Sequence, residues 1–185
     1  IPGIRHSSVV DRAAQLFEEK FDTFFIADLE QYDVSGSYVT SSLQVVDTET
    51  VRRKFENRHL NNSFAAVYFP DVVIEADASN TIKVPPSVAI AGVLPGNDKN
   101  YGIYSAPMGL TRGAIPEATE VGVSLDNNDR QLLIGSTINP IVSGPNINGA
   151  IYPASQKTTY DSDSVLRRIN IRRLVIDIRR RMRSL

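Results

Sequence analysis

The chain has 185 residues, of which 42% are apolar and 22% charged, an ordinary globular composition that excludes wholesale disorder. It contains no cysteine, which excludes disulfides and thiolate metal sites. Its charge is uneven: residues 164–185 hold eight arginines against one acid, or +7, whereas the rest holds 12 basic and 20 acidic residues, or −8. This separation predicts charge-complementary contacts within the fold or between copies.

The first half of the chain reads as helices alternating with strands. Apolar residues at three- and four-residue spacing predict a helix over residues 7–21, and an aromatic cluster at residues 24–26 predicts a strand. A second helix is predicted over residues 47–62, with a cap-type residue at its start. Residues 63–77 then read as two strands separated by Pro70. A strand–helix–strand order predicts an α/β layer with some parallel pairing.

The middle of the chain is rich in proline and glycine. Pro85 and Pro86 can open a helix because proline suits the first turn, and residues 87–94 are nearly all apolar. Pro95 and the glycine after it predict the end of this helix. Residues 97–115, rich in turn formers, are predicted to form an ordered loop.

The last third combines short strands with helices. Residues 117–125 alternate like a strand, and residues 126–138 begin with cap-type residues and become a short helix. Residues 139–155 read as two short strands around a turn. The predicted class is therefore α/β (α+β): a mixed sheet flanked by helices, followed by short strands and a final amphipathic helix. A domain boundary is placed near residue 115, which divides the chain into 1–115 and 116–185.

The final helix, predicted over residues 169–185 and called α6 below, carries six arginines, and two more, Arg167 and Arg168, stand just before it. Its apolar residues are spaced at 0, 3, 4, 7 and 11 positions and form one helical stripe, which we call the α6 stripe: Ile171, Leu174, Val175, Ile178 and Met182. A free nucleic-acid arm needs no such stripe, whereas a helix that packs on protein does. Arginine also favours fixed pairs with carboxylates. The pattern therefore predicts a packing helix whose arginines pair with carboxylates.

Signals for chemistry are weak. The histidines, His6 and His59, stand apart from other ligand-type residues, so they predict neither a metal site nor a catalytic base. The stretch "GVLPGNDKNYG" lacks the spacing of a phosphate loop and is interpreted as a turn. No serine lies in a nucleophile elbow. Four acids, Asp28, Glu30, Asp33 and Asp47, could form a carboxylate site, but their scatter favours a solvated loop.

Several stretches, in order, resemble one protein family. They are "FFIADLE", "NRH" followed by "AAVYFPDV", "VPPSVAIAGVLPGNDKNYGIYSAPMG", "LTRGA", "DNNDRQLLIGSTINPI" and "INIRRLVIDIRRRM". This set is similar to the tail sheath proteins of contractile-tailed bacteriophages and of related contractile particles. The resemblance covers residues 22–185. The stretch "AIYPASQKT" departs from the family pattern, which usually has a segment like Trp-Gly-Ala-Arg-Thr here, although Tyr152 stands where an aromatic residue is expected.

The resemblance implies a mechanical function without catalysis. Sheath subunits polymerise as stacked rings around a tail tube and contract, which drives the tube through the host envelope and delivers the genome. The implied partners are other copies of the subunit, the tail tube protein and the baseplate, with no cofactor, no metal, no membrane insertion and no direct binding of nucleic acid. The implied location is the virion tail, after assembly in the host cytoplasm. Because family members extend further at both ends, we expect the chain to be a core fragment of a larger subunit.

The resemblance also implies a set of structural or inter-subunit residues, carried over from the matching motifs. These are Pro85, Pro86 and Ser87 at the start of the buried helix; Asn97, Asp98, Gly102, Ala106, Pro107 and Gly109 in the following loop; Asn139 and Pro140 in a strand; and Asn170, Arg172, Arg173 and Leu174 in the last helix.

Two alternatives remain open at this point. The first is a small α/β enzyme that uses Asp28 and residues 97–101, which rests on analogy of fold alone. The second is a nucleic-acid-binding module that uses the arginine-rich last helix, whose affinity would fall steeply with salt.

Overall fold

A computed structural model describes residues 2–31, 47–77, 80–144 and 149–184. The helices are α1 (Ser7–Lys20), α2 (Thr48–Glu56), α3 (Pro86–Tyr101), α4 (Gly109–Arg112), α5 (Asn127–Gly135) and α6 (Ile169–Arg183), with a 3₁₀ turn at Val165–Arg167. The strands are β1 (Phe25–Asp28), β2 (Ala65–Phe69), β3 (Val72–Asp77), β4 (Asn80–Val84), β5 (Ala118–Val121), β6 (Ile138–Ser143) and β7 (Ile151–Pro153). The predicted mixed α/β class is confirmed.

The larger sheet has the strand order β1-β2-β6-β7. Strand β1 pairs with β2 in parallel, as predicted for a strand–helix–strand unit, and β2 pairs with β6 in parallel. Strand β7 returns antiparallel to β6. This sheet joins strands from both sides of residue 115, so the two ranges proposed as domains share one sheet, and their division stays a prediction.

Strand β2 lies at the centre of this sheet and is buried on both faces. Because side chains alternate along a strand, Ala65, Val67 and Phe69 face one apolar cluster, which includes residues of α1, α2 and α5. Ala66 and Tyr68 face the other cluster, which includes residues of α3 and the start of α6. The molecule is therefore a sheet with helices on both faces, which explains the near-continuous apolar sequence of β2.

The smaller sheet is antiparallel, with the order β4-β3-β5. Its inner face is apolar: Val72 is fully buried, and Ile74, Val84, Ala118 and Val121 pack against the cluster that contains Ile169 of α6. Its other face carries the exposed side chains of Lys83, Glu75 and Glu120 around the half-buried Val73. The two predicted strands around Pro70 are thus confirmed, but they belong to different sheets.

Helix α3 is longer than predicted. Pro85 is its N-cap, as expected, but the helix continues through Pro95 to Tyr101. Ile90, Leu94 and Asn97 recur on one face and are buried, so packing holds the helix on both sides of the proline. Pro95 itself is exposed, and so is Ala91 one turn earlier, whose carbonyl loses its helical partner at this point and can face solvent. Both the predicted helix end and the turn assigned to residues 97–101 are therefore wrong.

Helices α2 and α5 begin at predicted caps. The Asp47 carboxylate accepts a hydrogen bond from Thr50 N at 2.9 Å, and this bond lowers the pKa of Asp47. Helix α2 ends at Glu56, earlier than predicted, and His59 takes a positive φ of 50° soon after. In α5, Asp126 and Asp129 form a reciprocal capping box.

Removing the Asp126 cap of α5 tests how much the capping box contributes to the stability of the fold. Asp126 Oδ1 accepts from Asp129 N at 2.7 Å, so Asp126→Ala is expected to lower the free energy of unfolding by about 1 kcal/mol. Asp126→Asn keeps an acceptor at this position and should lose less. Urea denaturation followed by circular dichroism measures both, with Asn128→Ala, an exposed change on the same helix, as the control. An unchanged midpoint for Asp126→Ala would contradict this account of the helix start.

Candidate functional site

The predicted structural residues form clusters at the two ends of α3, along α6 and on β6. At the start of α3, Ser87 N and Ser87 Oγ donate to the two carboxylate oxygens of Asp28, at 3.0 and 2.6 Å. Asp28 is 1% exposed, and it also accepts from Gly3 N at 2.9 Å. A carboxylate here satisfies free amides and complements the positive end of the helix dipole. Asp28 therefore joins β1, α3 and the N-terminal segment.

The N-terminal segment is held by further acids. Arg5 donates to Leu29 O at 3.0 Å and to both carboxylate oxygens of Asp71, at 2.8 and 2.9 Å. Glu30 accepts from Ser7 N at the start of α1, at 2.8 Å. The interpretation of Asp28 and Glu30 as members of a solvated loop is wrong, because each accepts hydrogen bonds from the start of a helix. Asp47 is exposed to solvent and caps α2. Asp33 lies outside the described residues.

At the other end of α3, Asn97 is buried and donates from Nδ2 to Ser105 O at 3.1 Å. Gly102 follows the helix with φ of +85°, where a Cβ would lie 2.6 Å from the Tyr104 ring, so glycine is required at this position. Pro107 is also buried. These residues fold the chain after α3 back along the helix, although Asn97 and Asp98 belong to α3 and not to the predicted loop.

Helix α6 is bound to this region by two side chains. Asn170 donates from Nδ2 to Tyr104 O at 2.7 Å, and its own N–H donates to Gln156 Oε1 at 3.2 Å. Arg173 forms a two-pronged ion pair with Asp98, with 2.9 Å from Nη1 to Oδ1. Tyr68 lies close enough for Arg173 to favour its ionised form, but burial dominates and raises the pKa of Tyr68.

Arg172 is buried, 6% exposed, although it is a cation. Its guanidinium stacks over the Phe64 ring, 4.1 Å from the centroid, and it donates to Ser63 Oγ. Burial lowers the pKa of Arg172, while the charge of Glu18 opposes this shift. The ring of Phe21 contacts Phe64 edge-on with centroids 4.7 Å apart. Arg172 is thus a packing residue.

The orientation of α6 corrects one expectation. The buried face of the helix contains Ile169, Arg172 and Ile176. The α6 stripe, predicted to be the packing face, points away: Ile171 and Leu174 are half-buried, and Val175, Ile178 and Met182 are 41, 48 and 69% exposed. The first arginines of the helix therefore pack inward, and the apolar stripe faces solvent.

Asn139 on β6 makes four side-chain hydrogen bonds and is fully buried. Its Nδ2 donates to Val67 O at 2.9 Å and to Lys157 O at 2.7 Å, and its Oδ1 accepts from Ser155 Oγ and from Lys157 N, both at 2.6 Å. Pro140 beside it is buried as well. Asn139 therefore ties β2, β6 and the segment after β7 together.

A cleft of about 690 Å³ lies between α3 and α6. Its lining includes the Asp98–Arg173 ion pair, and two more arginines, Arg180 and Arg183, stand beside it. Asp177 in the lining pairs with Arg181 at 2.7 Å. Among the described residues, Asp98 and Arg173 are the one ion pair formed within the lining, whereas Arg180 and Arg183 form none.

The site of the enzyme alternative is not assembled. Asp28 lies at the first turn of α3, whereas residues 97–101 form its last turn, ten or more residues further along. A helix rises by 1.5 Å per residue, which separates the two by roughly 15 Å. Within the described ranges, histidine and acidic side chains form no group of three or more with metal-site geometry. Across those same ranges, no helix has the length and apolar character of a membrane span.

Comparison with protein-family models and with curated proteins gives no match. Solved structures do match. A chain of the helical sheath of the anti-feeding prophage in its contracted state superposes with a TM-score of 0.69 and 22% identity, covering 99% of this chain and 44% of that one. A chain of the six-fold symmetrised baseplate of the same particle gives 0.65 and 22%, covering 97% and 42%.

A third match comes from the sheath complex of an extracellular contractile injection system, PVC, in its contracted state. Its TM-score is 0.58 at 25% identity, and the match covers 75% of this chain and 38% of that one. The chain thus spans less than half the length of each of these three relatives. The resemblance found in the sequence is confirmed at the level of the fold.

Proposed function

We propose that this chain is part of a subunit of a contractile sheath. In this proposal the complete subunit polymerises as stacked rings around a tail tube, meets a baseplate at one end, and contracts to drive the tube through a target envelope. The subunit acts without catalysis. The observation that carries the proposal is the fold match to a helical sheath chain, which covers 99% of this chain.

The contacts within the chain are of the kind that a nearly rigid sheath subunit needs. A subunit that changes its neighbours while keeping its shape needs elements that move together, since packed interiors do not deform continuously. Asp28, Asn139 and the Asp98–Arg173 pair each join segments that are distant in sequence. The energy for contraction then comes from a difference in contacts between two lattices of nearly rigid subunits.

The finer assignment is to a contractile bacteriophage tail, with the virion as the location and the host cytoplasm as the place of assembly. Its support is the set of sequence motifs that resemble phage sheath proteins. The residues proposed at subunit or tube contacts are those carried over from these motifs; Leu174, half-buried on the α6 stripe, is the member best placed for such a contact.

Electron microscopy of the full-length subunit tests the proposal. Expressed with its tube protein, the subunit should form long hollow tubes of regular helical order around the inner tube. Expressed alone, it should form tubes of the contracted type. The Asn139→Ala variant provides a control for fold integrity, because it should lower assembly only in proportion to its loss of folded protein. Monomers under all conditions, from a subunit that is folded by circular dichroism, would refute the sheath assignment.

A further inference from the structure

Helices α1 and α6 lie on opposite faces of the larger sheet, yet they meet at one end of it. The buried residues of α1 belong to one apolar cluster, whereas Ile169 of α6 belongs to the other. Phe64 stands directly before β2, and its ring is contacted both by Phe21, which ends α1, and by Arg172 of α6. The end of the sheet at which β2 begins is therefore the place where the two helix layers come together.

Four side chains form one continuous stack at this place, which we call the aromatic stack: Arg179, Phe21, Phe64 and Arg172. The guanidinium of Arg179 lies over the Phe21 ring, 4.9 Å from its centroid. The rings of Phe21 and Phe64 meet edge-on with centroids 4.7 Å apart, and the guanidinium of Arg172 lies over Phe64 at 4.1 Å. The two arginines are seven residues apart, so they stand on the same side of α6, roughly 10 Å from each other along its axis. Both ends of the stack therefore belong to α6, and the two rings between them come from other parts of the chain.

The backbone at Phe21 indicates that its ring is needed at this position. Phe21 ends α1 with a positive φ of 58°, and its N–H donates to Phe17 O at 3.1 Å. Glycine is the usual residue at such a helix end, because a side chain is disfavoured in the left-handed region. A bulky residue persists in this conformation where its surroundings fix it. At Phe21 the ring contacts with Phe64 and Arg179 fix it in this way.

The aromatic stack has a buried half and an open half. Phe64 and Arg172 are 2 and 6% exposed, so their contact is part of the packed interior. Phe21 is 43% exposed and Arg179 is half-buried, so solvent reaches the contact between them. A cation over a ring contributes less at an exposed site than at a site from which water is excluded. The outer contact is therefore the weaker of the two and the first to open.

The rest of α1 is held independently of the stack. Asn62 Nδ2 donates to Ala14 O at 2.9 Å and to Glu18 Oε2 at 3.2 Å. Nearer the start of the helix, Asp11 pairs with Arg58 at 2.6 Å. The outer contact of the stack therefore holds only the residues that follow Glu18.

We infer that the aromatic stack couples α1 to α6 through a contact that opens while the molecule stays folded. The buried pair, Arg172 and Phe64, stays closed. The outer pair, Arg179 and Phe21, opens and closes, and the end of α1 loosens whenever this pair is open. A change on α6 is therefore felt at the end of α1, in the helix layer on the other side of the sheet. The inference does not depend on the proposed function, because it concerns two layers of one copy.

Amide hydrogen exchange, measured by NMR on the chain, tests this coupling. In the native chain the Phe21 amide should exchange well before the amides of β2, which open only with global unfolding. Arg179→Ala removes the cation over the Phe21 ring, so the same amide is expected to exchange about threefold faster. A Phe21 amide as slow as those of β2, or one that Arg179→Ala leaves unchanged, would overturn the inference.

Two controls show whether the effect is confined to the stack. Arg181→Ala is the matched variant, since Arg181 is exposed and pairs with Asp177 along its own helix, and it should not alter exchange of the Phe21 amide. The amide of Ser136, at the end of α5, should keep its native rate in Arg179→Ala, because its opening does not involve the stack. Acceleration of either control by as much as that of the Phe21 amide in Arg179→Ala would show a general loss of stability and contradict the inference.

The same substitution in a Phe21→Gly chain separates the ring contact from any other effect of Arg179. Glycine suits the positive φ at this position, so the variant keeps the end of α1 but lacks the ring. Arg179→Ala should then leave exchange of the amide at position 21 unchanged relative to the Phe21→Gly chain itself. Equal acceleration in both backgrounds would mean that Arg179 acts on α1 without the ring, and the inference would be wrong.

Discussion

Replacing Asn139 with alanine is expected to lower the free energy of unfolding by about 4 kcal/mol, which is a large fraction of the stability of a domain of this size. The side chain makes four hydrogen bonds and is fully buried. Its loss leaves a small cavity and four polar groups without their partner, and each such group costs about 1 kcal/mol or more when water cannot reach it.

A second variant at this position separates packing from hydrogen bonding. Asn139→Asp keeps the size and the accepting oxygen, but it places a carboxylate oxygen against the carbonyl oxygens of Val67 and Lys157. We expect it to be as destabilising as alanine, about 3 to 4 kcal/mol, because oxygen now faces oxygen in a buried site.

Urea denaturation at neutral pH measures both Asn139 variants. Asn128→Ala, an exposed change on α5, serves as the control and should stay within about 0.5 kcal/mol of the native chain. If Asn139→Ala shifted the midpoint no more than this control, the four bonds would not be contributing as the geometry requires.

The repeating pattern of the sequence predicts the local elements well. The β1–α2–β2 unit, its parallel pairing and the two-strand break at Pro70 all follow from apolar spacing and cap residues, because these signals lie within a few residues of their effect. Burial of β2 on both faces follows from its unbroken apolar run.

Pro95 shows where local signals fail. Proline and glycine together normally end a helix, but Ile90, Leu94 and Asn97 pack on both sides of this pair and hold the helix together. That packing depends on residues from β2 and the loop after α3, which no local pattern contains. The tertiary contact therefore overrides the local preference.

The prediction that the α6 stripe is the buried face of the helix is wrong for a different reason. Periodicity shows that a helix has an apolar face, but it does not show which face contacts the rest of the same chain. Here Arg172 stacks on the Phe64 ring and donates to Ser63, which lies 109 residues earlier in the chain. These contacts bury the side of α6 that carries Arg172, and the apolar stripe on the other side remains largely exposed. The pattern therefore identified the helix and its apolar stripe, but not the face by which the helix packs on this chain.

The most important missed residue is Asp28. The sequence presents it as one acid among several near a loop, and its partners lie 59 and 25 residues away. One signal could have found it: an acid at the end of a buried strand, in a chain that also has a buried helix opening with two prolines and a serine. Such a helix start lacks N–H groups from its prolines and needs an acceptor for its serine.

Replacing Asp28 with alanine is expected to lower the free energy of unfolding by about 3 kcal/mol, the largest effect we predict at any residue other than Asn139. Three donors, Ser87 N, Ser87 Oγ and Gly3 N, lose a charged acceptor in a site that is 1% exposed. Hydrogen bonds to a carboxylate are about twice as strong as those between neutral groups. Asp28→Asn should cost less than alanine, since one amide oxygen remains to accept, but its NH₂ group must face a donor.

Ser87→Ala dissects the cluster further. It removes one of the three donors and leaves the backbone bond from Ser87 N in place, so we expect a loss of about 1 kcal/mol. Asp22→Asn is the matched control, because Asp22 accepts a hydrogen bond from its neighbour Thr23 alone among the described residues, at 2.8 Å. It should leave the stability nearly unchanged.

Hydrogen exchange distinguishes this tie from a general loss of stability. If Asp28 joins the N-terminal segment to α3, then Asp28→Ala should speed exchange at the amides of Gly3 and Ser87 more than at the central strand β2, where exchange follows global unfolding. Equal acceleration at all amides would mean that the carboxylate contributes stability without locally linking these segments. Faster exchange at Gly3 and Ser87 alone, together with native exchange rates in Asp22→Asn, would identify Asp28 as the residue that links the N-terminal segment to α3. Such a link is what the proposed sheath subunit needs if its elements are to move together.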